Sequence, residues 1–89
     1  MIENIIQTFK DKLSEEIGKK NIYFEISDKN AIYSLKDCIK VENIDKNNSY
    51  LIFKLNFETF NELVQGEKHP EDLLFNEKIK ISGDINLIS

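Results

Sequence analysis

The residues best suited to carry out chemistry surround the only histidine of the chain, His69. Glu67, Glu71 and Asp72 lie close to it in sequence, and imidazole and carboxylate groups together can hold a metal ion or exchange a proton. A structural interpretation explains the same residues. Pro70 suits the first position of a helix, His69 would be its cap, and acids in a first turn interact favourably with the helix dipole. We therefore predict no catalytic residue and no metal site here.

The single cysteine, Cys38, offers a thiol that could act as a nucleophile. No histidine or cluster of positive charge lies beside it in the sequence to favour the reactive thiolate, so we expect a small apolar residue on a strand. An unpaired cysteine excludes a disulfide framework and favours a reducing compartment. The glycines Gly18, Gly66 and Gly83 are far apart, which excludes a phosphate-binding loop. The sequence thus predicts neither a cofactor nor an enzyme.

Charge and hydropathy narrow the class of protein further. The chain has sixteen acidic residues and twelve basic residues, all of them lysines, and a net charge of −4. Nucleic acid is therefore not an expected partner. No apolar run approaches the ~20 residues of a membrane span, and no signal peptide opens the chain. We expect a cytoplasmic protein, and the bias toward Ile, Lys and Asn suggests the AT-rich genome of a bacterium.

Apolar residues at helical spacing predict one long helix at the start of the chain. The stripe consists of Ile2, Ile5, Ile6, Phe9, Leu13 and Ile17. Gly18 and the lysines that follow it mark the end of this helix. Acids nearly cancel the lysines on its polar face, so we expect it to cover a sheet. The alternative is a helix that makes transient contact with a membrane surface.

Alternation of apolar and polar residues then predicts four strands, at residues 22–26, 31–37, 38–44 and 50–56, with turns at 27–30 and 45–49. A short helix follows at residues 57–65, capped by Asn56 and ended by Gly66 in a left-handed conformation.

Pro70 would open a second short helix, and a fifth strand at residues 78–82 would end at Gly83. The order α-β-β-β-β-α-α-β predicts a single α+β domain over residues 1–89. Its five-stranded, mostly antiparallel sheet would be covered on one face by the N-terminal helix and the two short helices.

The last third of the chain resembles the type-two sterol carrier protein, or non-specific lipid-transfer, domain family. The resemblance rests on a helix that ends at Gly66, then Pro70, then the apolar residues 73–75, then the Lys-Ile-Lys-Ile-Ser-Gly-Asp run at 78–84. Asn76 stands where the family usually has a glycine. Family members also continue past the Gly-Asp pair into a helical segment that helps to close the ligand site, and this sequence lacks that extension.

The resemblance implies a tunnel between sheet and helices that takes fatty acyl chains, acyl-CoAs, phospholipids or sterols. Carried onto this chain, the apolar lining would be Ile6, Phe9, Leu13, Phe24, Leu35, Phe53, Phe60, Val64, Leu74 and Phe75. The same residues are expected in a plain hydrophobic core. We therefore expect non-covalent carriage of a fatty acyl chain or other lipid, and a fatty acid rather than a sterol in a bacterium. Lys78 or Lys80 could meet an acidic head group, but we expect both on the solvated surface.

A second hypothesis is a protein-interaction or dimerisation module that keeps the same fold without bound lipid. Its motivation is the apolar end of the chain, Ile85-Asn86-Leu87-Ile88. If this end left an uncovered hydrophobic edge, a second copy could cover it and form a homodimer.

Overall fold

A computed structural model describes residues 2–66 and 77–88 of the chain. The elements, in chain order, are helices α1 (Ile2–Asp11) and α2 (Glu15–Gly18), strands β1 (Ile22–Ile26), β2 (Ala31–Ser34), β3 (Ile39–Val41) and β4 (Leu51–Leu55), helix α3 (Phe57–Gln65), strand β5 (Lys80–Gly83) and a 3₁₀ helix (Ile85–Ile88). The predicted α+β class and order of elements are confirmed. The predicted helix at Pro70 and the His69 cluster lie outside the described residues.

The prediction of one long N-terminal helix is wrong, because the chain breaks between α1 and α2. The Ser14 hydroxyl accepts a hydrogen bond from the Ile17 N–H at 3.2 Å and so caps α2. A serine side chain competes with the backbone inside a helix but satisfies a free N–H at a helix start, so a new helix begins there. The apolar stripe still faces inward, since Ile6 and Phe9 are buried and Leu13 is half-buried.

The five strands form one sheet in the order β3-β2-β1-β4-β5. Three pairings are antiparallel, as expected for a mostly antiparallel sheet, but β1 and β4 pair in parallel. The sheet is therefore mixed. A parallel pair needs a long crossover connection, and β2, β3 and the loop before β4 supply it. The crossover brings the two strands with the strongest apolar alternation together at the centre of the sheet.

The pairing register assigns each side chain to one of two faces of the sheet. Phe24 lies opposite both Tyr33 and Phe53, and Phe53 lies opposite Ile81. We call this side the inner face, and α1 and α3 cover it. The outer face carries the residues between them, which are Tyr23, Glu25, Ile32, Ser34, Ile39, Val41, Ile52, Lys54, Lys80 and Ser82. The predicted coverage of one face by helices is confirmed for α1 and α3.

The hairpin of β2 and β3 has shorter strands than predicted, because a tight turn occupies residues 34–38. The Cys38 N–H donates to the Ser34 carbonyl at 2.8 Å, and the Asp37 N–H donates to the Ser34 hydroxyl at 3.2 Å. Cys38 has a φ of 58°. The cysteine is thus a left-handed turn residue before β3, and its expected place on a strand is wrong.

Helix α3 has the predicted bounds, and its predicted cap is confirmed, since the Asn56 side chain accepts from the Thr59 N–H at 2.8 Å. Gly66 follows the helix in an extended conformation, with φ −81° and ψ 163°, where a left-handed residue was expected. The left-handed glycine is Gly83, with φ 102°. A Cβ atom there would overlap the Tyr50 carbonyl oxygen, so the close approach of two backbones requires glycine.

Candidate functional site

The structure brings the predicted lining residues together in one apolar cluster between the inner face and the helices. Its described members from that prediction are Ile6, Phe9, Phe24, Leu35, Phe53, Phe60 and Val64, none more than 5% exposed. Leu13 is half-buried and packs against them. Leu74 and Phe75 lie outside the described residues. Residues that the sequence scattered over two helices and three strand regions therefore meet in space.

Phe24 lies at the centre of this cluster and contacts an aromatic ring on each of three elements. Its ring centroid is 5.6 Å from that of Phe9 on α1, in an edge-to-face arrangement. The Phe53 ring on β4 stacks against it at 5.6 Å, and the Phe60 ring on α3 lies 5.3 Å away. These distances are those of direct aromatic contact. The rings therefore join both helices to the centre of the sheet.

The predicted lining left out other members of the cluster that the same periodicities indicate. Leu51 and Leu55 alternate with Phe53, and Leu63 follows Phe60 at helical spacing. The further buried members of the cluster are Ile22, Ile26, Ala31, Tyr33, Leu51, Leu55, Leu63, Ile79 and Ile88. Alternation and helical spacing indicate all of these except Ile88, which lies in the 3₁₀ helix.

The apolar end of the chain folds inward instead of forming an uncovered edge. Ile88 is 2% exposed and belongs to the cluster, while Ile85 is 50% exposed. Ile39, 53% exposed, is the other large exposed apolar residue of the described ranges, and it lies on β3 at the opposite edge of the sheet. The two do not form one patch. The observation that motivated a dimerisation module is thus reduced to one exposed isoleucine at each edge.

Two lysine side chains at the end of α1 hold the helices in place over the sheet. Lys12 Nζ donates to the Val64 carbonyl oxygen, at 2.6 Å, and lies 3.4 Å from the Gly66 carbonyl oxygen. Lys10 Nζ donates to the Lys36 carbonyl oxygen at 2.6 Å, in the turn between β2 and β3. One lysine therefore ties α1 to α3, and the other ties α1 to the sheet.

The buried polar side-chain groups of the described residues are all hydrogen-bonded. No buried side-chain nitrogen or oxygen among them lacks a hydrogen-bond partner, and no group of three or more of their His, Cys, Asp and Glu residues could hold a metal ion. Burial, with a smaller effect of the Glu3 carboxylate, raises the pKa of Tyr33 above 10.0. Hydrogen bonds from Asn48 and then Asn47 lower the pKa of Asp45, on the exposed loop before β4, below 3.8.

The lysines suggested as head-group contacts do not both face the cluster. Lys80 pairs with Lys54 in the register that places Phe53 opposite Ile81, so it lies on the outer face and points away from the cluster, contrary to that suggestion. Lys78 precedes β5 and is exposed. Among the described helices, none is long and apolar enough to cross a bilayer.

Comparison with known proteins gives one result. A family model described as the SCP-2 sterol transfer family matches residues 2–89. Searches of curated proteins and of solved structures give no match. The matched range includes the sheet and both helices that enclose the cluster, and it agrees with the resemblance at residues 66–84. The description of the family indicates binding and transfer of lipids or sterols in general. The chain belongs to the SCP-2 sterol transfer family.

Proposed function

We propose that the chain is a single carrier domain that binds one fatty acyl chain non-covalently between the inner face and helices α1 and α3. The observation that carries the proposal is the continuous apolar cluster between these elements, with Phe24 at its centre. Acyl chains need only apolar contacts along their length, and their carboxylate can remain at the surface. Binding and release require no catalytic group, so the protein acts as a carrier and not as an enzyme.

The packed aromatic rings fit the ligand-free state of such a carrier. An empty apolar tunnel of about 300 Å³ would cost on the order of 7 kcal/mol at roughly 24 cal/mol per Å³. The whole free energy of unfolding of a small domain is about 5 kcal/mol. Without ligand, the walls must therefore close and the side chains must fill the space between them.

A bound acyl chain supplies a free energy of the size needed to open that space. Burial of ~10 methylene groups at roughly 0.8 kcal/mol each contributes on the order of 8 kcal/mol. The sheet strands are held by backbone hydrogen bonds, whereas α1 and α3 rest on the inner face through side-chain contacts. We therefore expect α1 and α3 to move apart from each other as the ligand enters and to close again once it is bound, while the sheet stays fixed.

A fatty acid fits the cluster better than a sterol does. A flexible acyl chain can enter between close-packed rings, whose centroids lie 5.3–5.6 Å apart, with less displacement of the walls than a rigid sterol needs. The lone cysteine of the chain suits a reducing compartment. We place the carrier in the cytoplasm, where it would exchange acyl chains during transient contacts with membranes.

The direct test is native mass spectrometry of freshly purified protein, followed by organic extraction and identification of the released compounds. The proposal expects one fatty acid per chain, and expects delipidated protein to take up the fluorescent fatty acid cis-parinaric acid. Protein that carries no lipid and takes up none of the probe after delipidation would overturn the proposal. A lipid-free dimer in the same spectrum would favour the interaction module.

A matched pair of variants tests the location of the ligand. Val64→Phe enlarges a side chain of the cluster, and Val41→Phe makes the same change on the outer face. We expect at least about tenfold weaker probe binding for the first variant and unchanged binding for the second. Overpacking lowers the free energy of unfolding by roughly 1–3 kcal/mol. A cooperative urea unfolding transition is therefore required of each variant before its probe titration, as evidence that it is folded. Equal probe affinities in two folded variants would place the ligand elsewhere.

A further inference from the structure

The hydrogen bonds of Lys12 occupy the position where the two covering helices meet. Lys12 is the first residue after α1, and its N–H donates to the Phe9 carbonyl at 3.0 Å. Its Nζ donates to the Val64 carbonyl at 2.6 Å. Phe9 and Val64 both belong to the apolar cluster. A single side chain therefore connects one wall of the proposed ligand space with the other.

The carbonyl groups that Lys12 contacts are ones that α3 cannot satisfy by itself. The last four carbonyl groups of an α-helix lack partners within the helix, and a cation near them also interacts favourably with the negative end of the helix dipole. Lys12 meets the Val64 carbonyl in the last turn of α3 and approaches the Gly66 carbonyl just after it. The contact with Val64 is partly buried. This geometry makes the contact a cap of α3 supplied by the residue that follows α1.

We propose that Lys12 is a latch that controls the rate at which an acyl chain enters and leaves the space between the sheet and the helices. This inference rests on the proposed carrier function, because it assigns the regulation of that same site. Separation of α1 from α3 breaks the bonds of Lys12 to Val64 and Gly66, and closure restores them. The latch therefore holds the closed form both with and without ligand and raises the barrier between them.

Lys10 provides an internal control for this latch. It lies in the last turn of α1, two residues before Lys12, and makes a hydrogen bond of the same type and length, 2.6 Å, but its acceptor is the Lys36 carbonyl in the turn between β2 and β3. Lys10→Met and Lys12→Met remove the same charge and the same kind of bond. They differ in whether the bond spans the contact between α1 and α3.

The test measures the association and dissociation rates of cis-parinaric acid by stopped-flow fluorescence in the wild-type chain and both variants. We expect Lys12→Met to raise both rates about tenfold, the effect of losing one charge-assisted hydrogen bond, with little change in the dissociation constant. Lys10→Met is expected to change them by less than about twofold. Lys12→Arg, which keeps a charged donor, is expected to restore slow exchange. Equal rates for Lys10→Met and Lys12→Met would overturn the latch.

A second readout does not depend on the ligand. Hydrogen exchange of the Gly66 amide, which donates to the Glu62 carbonyl at 2.9 Å, reports opening of the end of α3. We expect it to speed up about tenfold in Lys12→Met alone. Unchanged exchange would overturn the latch even if lipid binds. If exchange is faster in Lys12→Met but the protein takes up no probe, Lys12 does join the two helices. The proposed carriage, and with it the control of ligand exchange by Lys12, would then be overturned.

Discussion

The central ring of the cluster, Phe24, gives the sharpest prediction about stability. Phe24 is 1% exposed and has three ring contacts, at 5.6, 5.6 and 5.3 Å. Each aromatic pair contributes about 0.5–1.5 kcal/mol beyond its buried area. Phe24→Leu keeps an apolar side chain on β1 but loses all three pairs, so we expect the free energy of unfolding to fall by about 2–4 kcal/mol. That loss is a large part of the ~5 kcal/mol typical of a small domain.

Phe57→Leu is the matched control at the margin of the same cluster. Phe57 is half-buried, its ring lies 6.5 Å from that of Phe60, and Lys29 Nζ lies 5.3 Å from its centroid. One distant ring and one surface cation–π contact predict a loss of about 1 kcal/mol. Urea unfolding followed by far-UV circular dichroism measures both variants. A loss for Phe24→Leu no larger than that for Phe57→Leu would refute the idea that the three rings hold the helices on the sheet.

Two further predictions concern the turns and loops around the sheet. Gly83→Ala should lower the free energy of unfolding by more than about 2 kcal/mol, because alanine is strained at a φ of 102° and its Cβ would overlap the Tyr50 carbonyl; a neutral effect in urea unfolding would contradict this backbone geometry. Hydrogen bonds from Asn48 and Asn47 lower the pKa of Asp45 in the folded chain. Its contribution to the free energy of unfolding is therefore fully present above the unfolded pKa of about 3.9 and is lost as the pH falls through the lower folded pKa. Asp45→Asn should therefore flatten the decline of the urea midpoint below about pH 4, and a titration midpoint of Asp45 at or above 3.8 by NMR would contradict the assignment.

Local signals predicted the elements whose structure depends on nearby residues. Helix α3 begins after a capping asparagine and has apolar residues at helical spacing, and its bounds matched the prediction. Strand β4 alternates cleanly between buried and less buried residues, whereas Tyr23 of β1 is buried along with its apolar neighbours, and both strands were also found. The apolar cluster followed from these periodicities, because the buried face of each element must meet the others.

The errors concern features that depend on contacts between distant parts of the chain. The parallel pairing of β1 and β4 depends on the path of the crossover, which no local pattern encodes. The left-handed conformation at Gly83 follows from its close approach to Tyr50, which is distant in sequence. The residues around Gly66 gave no sign that its backbone would be extended instead of left-handed. The break at Ser14 is the exception, because a serine followed by two glutamates was a readable sign of a new helix start.

The suggestion that Lys80 meets a head group overlooked the alternation of its own strand. Ile79 and Ile81 are the apolar residues of the predicted strand at 78–82, so the lysine between them must point to the other face. The observed pairing with Lys54 places it on the outer face, with Glu25 bonded to Lys54 at 3.3 Å.

The measurement that tests the central claim most directly is an isotope-filtered NOE experiment on delipidated protein loaded with ¹³C-labelled palmitate. The proposed carriage predicts NOEs from the methylene groups of the acyl chain to the rings of Phe9, Phe24 and Phe60 in the cluster. NOEs confined to Ile32 and Ile39 on the outer face, or no NOE at saturating palmitate, would contradict it.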